Sequence, residues 1–231
     1  MAADNQGSST YVVRLYKLSK TFAVTTWMSC GQYALATKKY LSNSTRAGII
    51  DLNAKTWLLR LDEPHKGMMK YHMNLNYKLT GFRDPHIPVS AGVVKAGEAV
   101  TNARDIVGTA AMVAAVVIDA YNVHSAYQED LKQTNGIGKH TVKAGMSVAG
   151  TWVGAYVGAN AGSFTGTYAG WAVGSLFGGV GAVPGAAIGS ILMSVIGGYG
   201  GVHFGKAAGE FLVEDDLRSF LEKVNLLGYC K

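Results

Sequence analysis

Three histidines fall within 22 residues of one another, at His65, His72 and His86. They sit in the run DEPHKGMMKYHMNLNYKLTGFRDPHIP (62–88), with Asp62, Glu63, Asn74 and Asp84 beside them. Imidazole changes charge near neutral pH and offers a nitrogen lone pair. Three of them could bind a metal or act as general acid and base on a phosphodiester. They could equally form a pH-responsive switch, or satisfy hydrogen bonds at turns and strand ends. The spacings His-x6-His and His-x13-His match no common metal motif. We therefore carry His65, His72 and His86 as candidate catalytic residues and assign no metal. The sequence contains no P-loop, dinucleotide fingerprint, nucleophile elbow or Cys-based zinc pattern. No cofactor is expected, and the reading leans away from an enzyme.

The surrounding elements decide whether these rings can meet. Residues Tyr71–Leu79 alternate Tyr71, Met73, Leu75, Tyr77 and Leu79 against His72, Asn74, Asn76 and Lys78. That period of two predicts a half-buried strand. Two Pro-His pairs fix the backbone ahead of His65 and His86. If the chain turns back near Gly81, His72 and His86 reach the same sheet face. Tyr11–Tyr16, Thr21–Trp27, Gly48–Leu52 and Trp57–Leu61 also read as short strands, with loops around Pro64, Pro85 and Pro88. Residues 1–90 thus form a small, mostly β unit. It carries 12 Lys/Arg against 5 Asp/Glu, a balance of +7 that exceeds the +6 of the whole 231-residue chain.

Residues 91–140 read as a helix and a linker. Ser90 can cap a helix whose apolar face runs through Val93, Ala96, Val100, Ala103 and Val107. Its uncharged middle, Ile106–Ile118, is only thirteen residues long. That is too short to span a bilayer and suits a buried helix. Asn135-Gly136 and Gly138 mark a turn.

Residues 141–209 carry the strongest pattern. No Asp, Glu, Lys or Arg occurs in the 62 residues 144–205. Gly150, Gly154, Gly158, Gly162, Gly166, Gly170, Gly174 and Gly178 recur every fourth position. The register then slips and resumes at Gly181, Gly185, Gly189, Gly197, Gly201, Gly205 and Gly209, with Met193 in the one gap. Residues four apart stack on one helix face, so each run forms a groove without side chains. Two such helices can bring their backbones together. We expect a glycine-zipper hairpin: one helix over about 142–178, a turn at 178–184, and a second over about 184–209. Drift of the glycine face along a straight helix suggests a break near Asn160–Phe164. The aromatic face of the first helix, Trp152, Tyr156, Phe164 and Tyr168, would meet lipid or a protein core. Residues 210–231 read as a separate amphipathic helix that stays at the membrane interface or packs on the N-terminal unit.

Composition supports a bilayer over bulk water. Charged residues are only 16% of the chain, and glycine contributes 30 residues, roughly twice its usual share. Cys30 and Cys230 are too few and too far apart for a disulfide framework or zinc site. The polar opening residues argue against a cleaved signal peptide. A soluble or non-classically exported form that later associates with membrane is expected. The basic unit suits an anionic bilayer; nothing in it specifically supports nucleic acid as a partner.

The Glu-Pro-His segment, the Asp-Pro-His-Ile-Pro segment and the long glycine zipper together resemble parts of bacterial polymorphic and secretion-system toxins. They are also similar to uncharacterised toxin-like proteins of marine invertebrates. The resemblance covers Leu61–Pro88 and Lys143–Gly209 and implies a toxin or pore-forming effector. The expectation is an α+β protein: a basic β unit, a helix, and a membrane-inserting, oligomerising hairpin. The alternatives are a His-dependent nuclease-like effector delivered by that hairpin, and a non-catalytic assembly zipped through its glycine helices.

Overall fold

The computed structural model describes residues 4–27, 31–36, 41–81, 83–84, 86–176 and 181–228. Cys30, Cys230 and Gly178 lie outside them. The architecture is α+β. Helix α1 (Asp4–Trp27) leads into strands β1 (Tyr33–Leu35), β2 (Thr45–Asp51), β3 (Thr56–Asp62) and β4 (His72–Leu75). A one-turn helix α2 (Tyr77–Thr80) and strand β5 (Ile87–Pro88) follow, and then three long helices, α3 (Ala91–Thr134), α4 (Lys139–Ser175) and α5 (Ala182–Gly228).

The segments Tyr11–Tyr16 and Thr21–Trp27 are helix, not strand. Their valines and threonines favour strands only weakly, and tertiary burial overrides such a preference. One face of α1 buries Lys20, Thr21, Ala23 and Val24, while Arg14, Leu15 and Leu18 face outward. The hydroxyls of Thr21 and Thr25 donate back to the carbonyls of Lys17 and Thr21, both at 2.9 Å. Val24 packs with Ala155, Ala159 and Val202, so α1 rests on the α4–α5 pair.

The five strands form an antiparallel sheet in sequence order. The β2–β3 hairpin turns at residues 52–55. There the Asp51 carboxylate accepts from the backbone N–H groups of Asn53 and Ala54, each at 2.9 Å. The strand expected over Tyr71–Leu79 stops at Leu75. Asn76 is the reason: its side chain caps α2 by accepting from the Lys78 N–H at 3.1 Å. Gly81, at φ 72°, then reverses the chain toward β5. The apolar sheet face, with Ile49, Leu58, Leu59 and Leu75, closes over Ala187 of α5, flanked by Val183 and Ile191.

Ser90 does cap α3, accepting from the Val93 N–H at 3.3 Å. The face it buries is another one, however. Val93, Val100 and Val107 are exposed, whereas Val94, Thr101, Gly108, Ala111, Ala115 and Asp119 are buried. Small residues win because they admit close neighbours. A Cβ on Gly97 would stand 2.8 Å from Leu61, and one on Gly108 would stand 2.4 Å from Thr26. The apolar middle of α3 is therefore largely outside the core, with Ile106 72% exposed.

Asp130, near the end of α3, organises the turn into α4. Its carboxylate accepts from the backbone N–H groups of Gly138, His140 and Thr141 at 2.9, 3.1 and 2.7 Å, and from the Thr141 hydroxyl at 2.6 Å. It does the work of an N-cap that Gly138 has no side chain to do.

Helices α4 and α5 run antiparallel in backbone contact. A Cβ built on Gly150, Gly154 or Gly158 would lie 2.2, 2.1 or 2.2 Å from the carbonyl oxygen of Gly205, Gly201 or Gly197. Gly166, Gly170 and Gly174 face Gly189, Gly185 and Gly181 in the same way, and Gly162 faces the carbonyl of Met193. No residue with a Cβ fits at such distances. The approach is close enough for Cα–H···O contacts between the helices. The helix α4 continues unbroken through Asn160–Phe164. The second helix starts at Ala182, with Pro184 in its first turn, where a missing N–H costs nothing. It runs without a break to Gly228, so residues 210–228 extend α5 and are not a separate helix.

Candidate functional site

The sheet edge brings the three histidines together. His72 opens β4 beside Asp62 at the end of β3, and it pairs across the other side with Pro88 of β5. Its ring centroid is 5.1 Å from that of His65 and 5.6 Å from that of His86. His65 is held by a two-way backbone bridge to Met68, with both hydrogen bonds at 2.9 Å. His86 has φ 42°, a left-handed conformation uncommon for a side chain of its size. Asp84 stabilises that bend, accepting from the His86 N–H at 3.3 Å and the Leu75 N–H at 3.1 Å.

Asp62 is fully buried beneath the rings. Its two oxygens accept from the Thr45 hydroxyl and the Asn74 amide, both at 2.6 Å. Arg60, stacked on Trp57 at 4.1 Å, places its guanidinium 3.5 Å from the same carboxylate. Asp62, His65 and His72 each present one donor atom, all within 4.8 Å of one another. The sequence marked the three histidines. It did not mark Asp62 and Asn74 as their buried partners, because only the β3–β4 register brings them underneath.

A second polar centre joins α1, α3 and α4. The Lys20 ammonium is fully buried 2.9 Å from the Asp119 carboxylate. It also donates to the Thr151 hydroxyl and lies 4.7 Å and 5.1 Å from the ring centroids of Tyr16 and Trp152. The Tyr16 hydroxyl and the Trp152 indole N–H both donate to Asp119, the latter at 2.7 Å. Burial pushes the Lys20 ammonium pKa down, against the opposing pull of Asp119. Burial, reinforced by the hydrogen bond and charge of Asp119, pushes the Tyr16 phenol up. The sequence signalled neither residue, since each looks like an ordinary surface group of a basic segment.

The outer faces of the hairpin carry the third feature. Phe164, Tyr168 and Trp171 on α4 and Leu192, Ile196 and Phe204 on α5 all point outward, Phe164 at 65% and Phe204 at 78% exposure. Trp152, on the aromatic face expected to meet lipid or a protein core, takes the second course and is drawn into the Asp119 centre. By length and composition, Ala91–Gln133 and Ala182–Val213 are each able to cross a membrane. The core helix of a soluble protein can pass that test, but here only 22% and 33% of the apolar windows are buried.

The family model described as "C13G5.2-like N-terminal domain" matches residues 16–107. The uncharacterized protein C13G5.2 of Caenorhabditis elegans is 33% identical over 100 residues. That alignment covers 42% of this chain and 28% of the relative, so the chain spans well under a third of that protein's length. No solved structure matches. The family match takes in the sheet, the histidine cluster and the start of α3, and it stops short of the glycine-lined pair.

Proposed function

We propose that the chain is a membrane-inserting protein of the pore-forming or toxin-like type, with α4 and α5 as the inserting hairpin. One observation carries this reading. The hairpin closes on itself through backbone contact and turns large apolar side chains outward over 62 residues without an Asp, Glu, Lys or Arg. In water each such side chain costs about 25 cal/mol per Å² of apolar surface left wet. In a bilayer the same surface is solvated by lipid, and small-residue packing becomes the main force holding helices together. The apolar part of α5, Ala182–Val213, is 32 residues and exceeds the roughly 20 that a bilayer core requires. Helix α4 has the length, at 37 residues, but among the described residues the helices apolar enough to cross are α3 and α5.

The N-terminal unit supplies the approach. Arg14, Arg46, Lys55, Lys66, Lys70, Lys78 and Arg83 are all exposed, whereas Asp51 and Asp62 are buried in hydrogen-bond networks. Its outer surface is thus more basic than its composition. Each basic group near an anionic surface contributes about 1 kcal/mol. Since α4 and α5 use their glycines on each other, copies of the chain would meet through the aromatic faces or α3.

Sedimentation with vesicles and dye release test this directly. Binding should be strong on anionic vesicles at low salt, weaker on neutral ones, and converge at high salt as screening shortens the attraction to a few ångströms. Release of an entrapped dye should follow binding. Absence of both binding and release on anionic vesicles at low salt would remove the proposal.

A further inference from the structure

The buried side of the histidine cluster has an imbalance of donors and acceptors. The His72 ring is 1% exposed, yet its Nε2 has no hydrogen-bond partner. An Asp62 carboxylate oxygen stands 3.9 Å away, beyond hydrogen-bond reach. A buried polar atom of this kind is rare and calls for a partner.

The opposite ring nitrogens fix which atom carries the lone pair. His72 Nδ1 lies 2.8 Å from the Lys70 carbonyl, and His65 Nδ1 lies 3.1 Å from the Lys66 carbonyl. A carbonyl only accepts, so each Nδ1 must carry the proton and donate. His86 follows the same rule. Its Nδ1 is 2.5 Å from the Asn74 side-chain oxygen, whose identity is set because the Asn74 amide nitrogen donates to Asp62. All three neutral imidazoles therefore leave Nε2 as an acceptor. Asp62, His65 and His72 stand in one group. The Asp62 oxygen facing His72 accepts from the Asn74 amide and lies 3.5 Å from the Arg60 guanidinium, and neither of these reaches His72 Nε2. Acceptors gathered around a common point repel one another unless a cation joins them. Nδ1 tied to a carbonyl is also the outer arrangement that orients metal-binding histidines.

We propose that Asp62, His65 and His72 bind one divalent first-row transition-metal ion, with His86 as the adjacent imidazole on the β5 side. Two nitrogens and one oxygen suit Zn²⁺, Fe²⁺ or Co²⁺, whereas Mg²⁺ and Ca²⁺ demand mostly oxygen donors. Bonds of about 2.0–2.1 Å at tetrahedral angles hold donor atoms roughly 3.3 Å apart. The 3.9 Å gap between His72 and Asp62 closes to that value with a side-chain shift of about half an ångström. Three protein donors leave at least one position open to water. The Arg60 guanidinium beside Asp62 balances the carboxylate charge in the metal-free protein and lowers affinity for the ion.

Tag-free full-length protein titrated with Co²⁺ tests the site, because cobalt in a low-coordinate nitrogen and oxygen site absorbs visibly. One equivalent should bind with the appearance of that absorption, Zn²⁺ should displace it, and either ion should raise the melting temperature. His65→Ala keeps the backbone bridge to Met68 and so tests the ligand without unfolding the sheet; it should weaken binding by about tenfold or more. His72→Gln should abolish the absorption, and His124→Ala, exposed on α3, should leave it unchanged. Folded wild-type protein without bound cobalt at millimolar metal would overturn the proposal. Full binding retained in His65→Ala and His72→Gln would overturn it as well.

Discussion

Replacing Gly158 by alanine separates two accounts of the α4–α5 pair that predict opposite signs. Alanine is the better helix former by about 0.5–1 kcal/mol, so helix propensity alone predicts a more stable protein. The packing predicts the reverse. The new methyl carbon would lie 2.2 Å from the Gly197 carbonyl oxygen, and ordinary contact begins at 3.4 Å, so the helices must part locally by about 1.2 Å. A gap of that order forfeits a quarter to a half of the dispersion energy on either side, and overpacking costs about 1–3 kcal/mol. After subtracting the propensity gain, the net loss is about 1–2 kcal/mol, or roughly 2–8 °C in melting temperature for a chain of this size. Gly145 on α4 and Gly200 on α5 are internal controls, because a Cβ at either meets nothing within 4 Å. Their alanine variants should gain about 0.5–1 kcal/mol. Thermal unfolding followed by circular dichroism at 222 nm, in the same mild detergent for all four proteins, reads the difference. A melting temperature for Gly158→Ala that rises with the two controls would refute backbone packing along this seam.

Two further outcomes follow from the same geometry. Asp119→Ala removes the buried partner of Lys20 and should destabilise the docking of α1 by about 3–5 kcal/mol, which should appear as faster dye release at equal vesicle binding. The paired replacement Lys20→Met with Asp119→Leu restores an uncharged interior and should return release toward the wild-type rate; equal release in all three proteins would show that this centre does not restrain the hairpin. Trypsin added outside sealed vesicles should cut bound protein near Arg218 and Lys223 while sparing 144–205, since a hairpin returns both ends to one side; protection of the C-terminal segment would instead mean an odd number of crossings.

Some of this architecture is written in local pattern and some is not. The β2–β3 hairpin is legible because Gly48–Leu52 and Trp57–Leu61 are rich in apolar and β-branched residues around a polar turn. The Ser90 cap is legible because a hydroxyl before a helix has one evident use. Helix α1 is not, because its valines and threonines read as strand until Ala155, Ala159 and Val202 are there to bury Val24. The choice of face on α3 fails for a related reason. Periodicity weighs large apolar residues, yet close neighbours select Gly97, Gly108, Ala111 and Ala115. At the candidate site, the histidines announce themselves by type. Their shared proton arrangement does not, since it depends on which carbonyls lie behind each ring.

The compact arrangement also sets what insertion must undo. The sheet lies on Val183, Ala187 and Ile191, in the first turns of α5, and α1 lies on Ala155, Ala159 and Val202 in the middle of the pair. A hairpin cannot enter a bilayer tip first while both are docked. The contacts to be given up are modest in kind. One cluster is made of alanines and valines, and a cleft of about 330 Å³ opens where α1, β1, α3 and α5 meet, between Phe22, Tyr33, Val100 and Ile191. The glycine-lined contact is of a different sort, because among the described residues the atoms nearest its glycines belong to the facing helix or to Gly181 just before α5. The pair can therefore leave its neighbours without losing its own packing. The buried directional tie to the middle of α4 is Trp152 and Thr151 reaching the Lys20–Asp119 centre, beside the Gly31–Asn160 hydrogen bond and the Asp130 bonds at the start of the helix. These ties draw on α1 and α3, through Tyr16, Lys20, Asp119 and Asp130, and so make the barrier to release a property of those helices as well as of the hairpin.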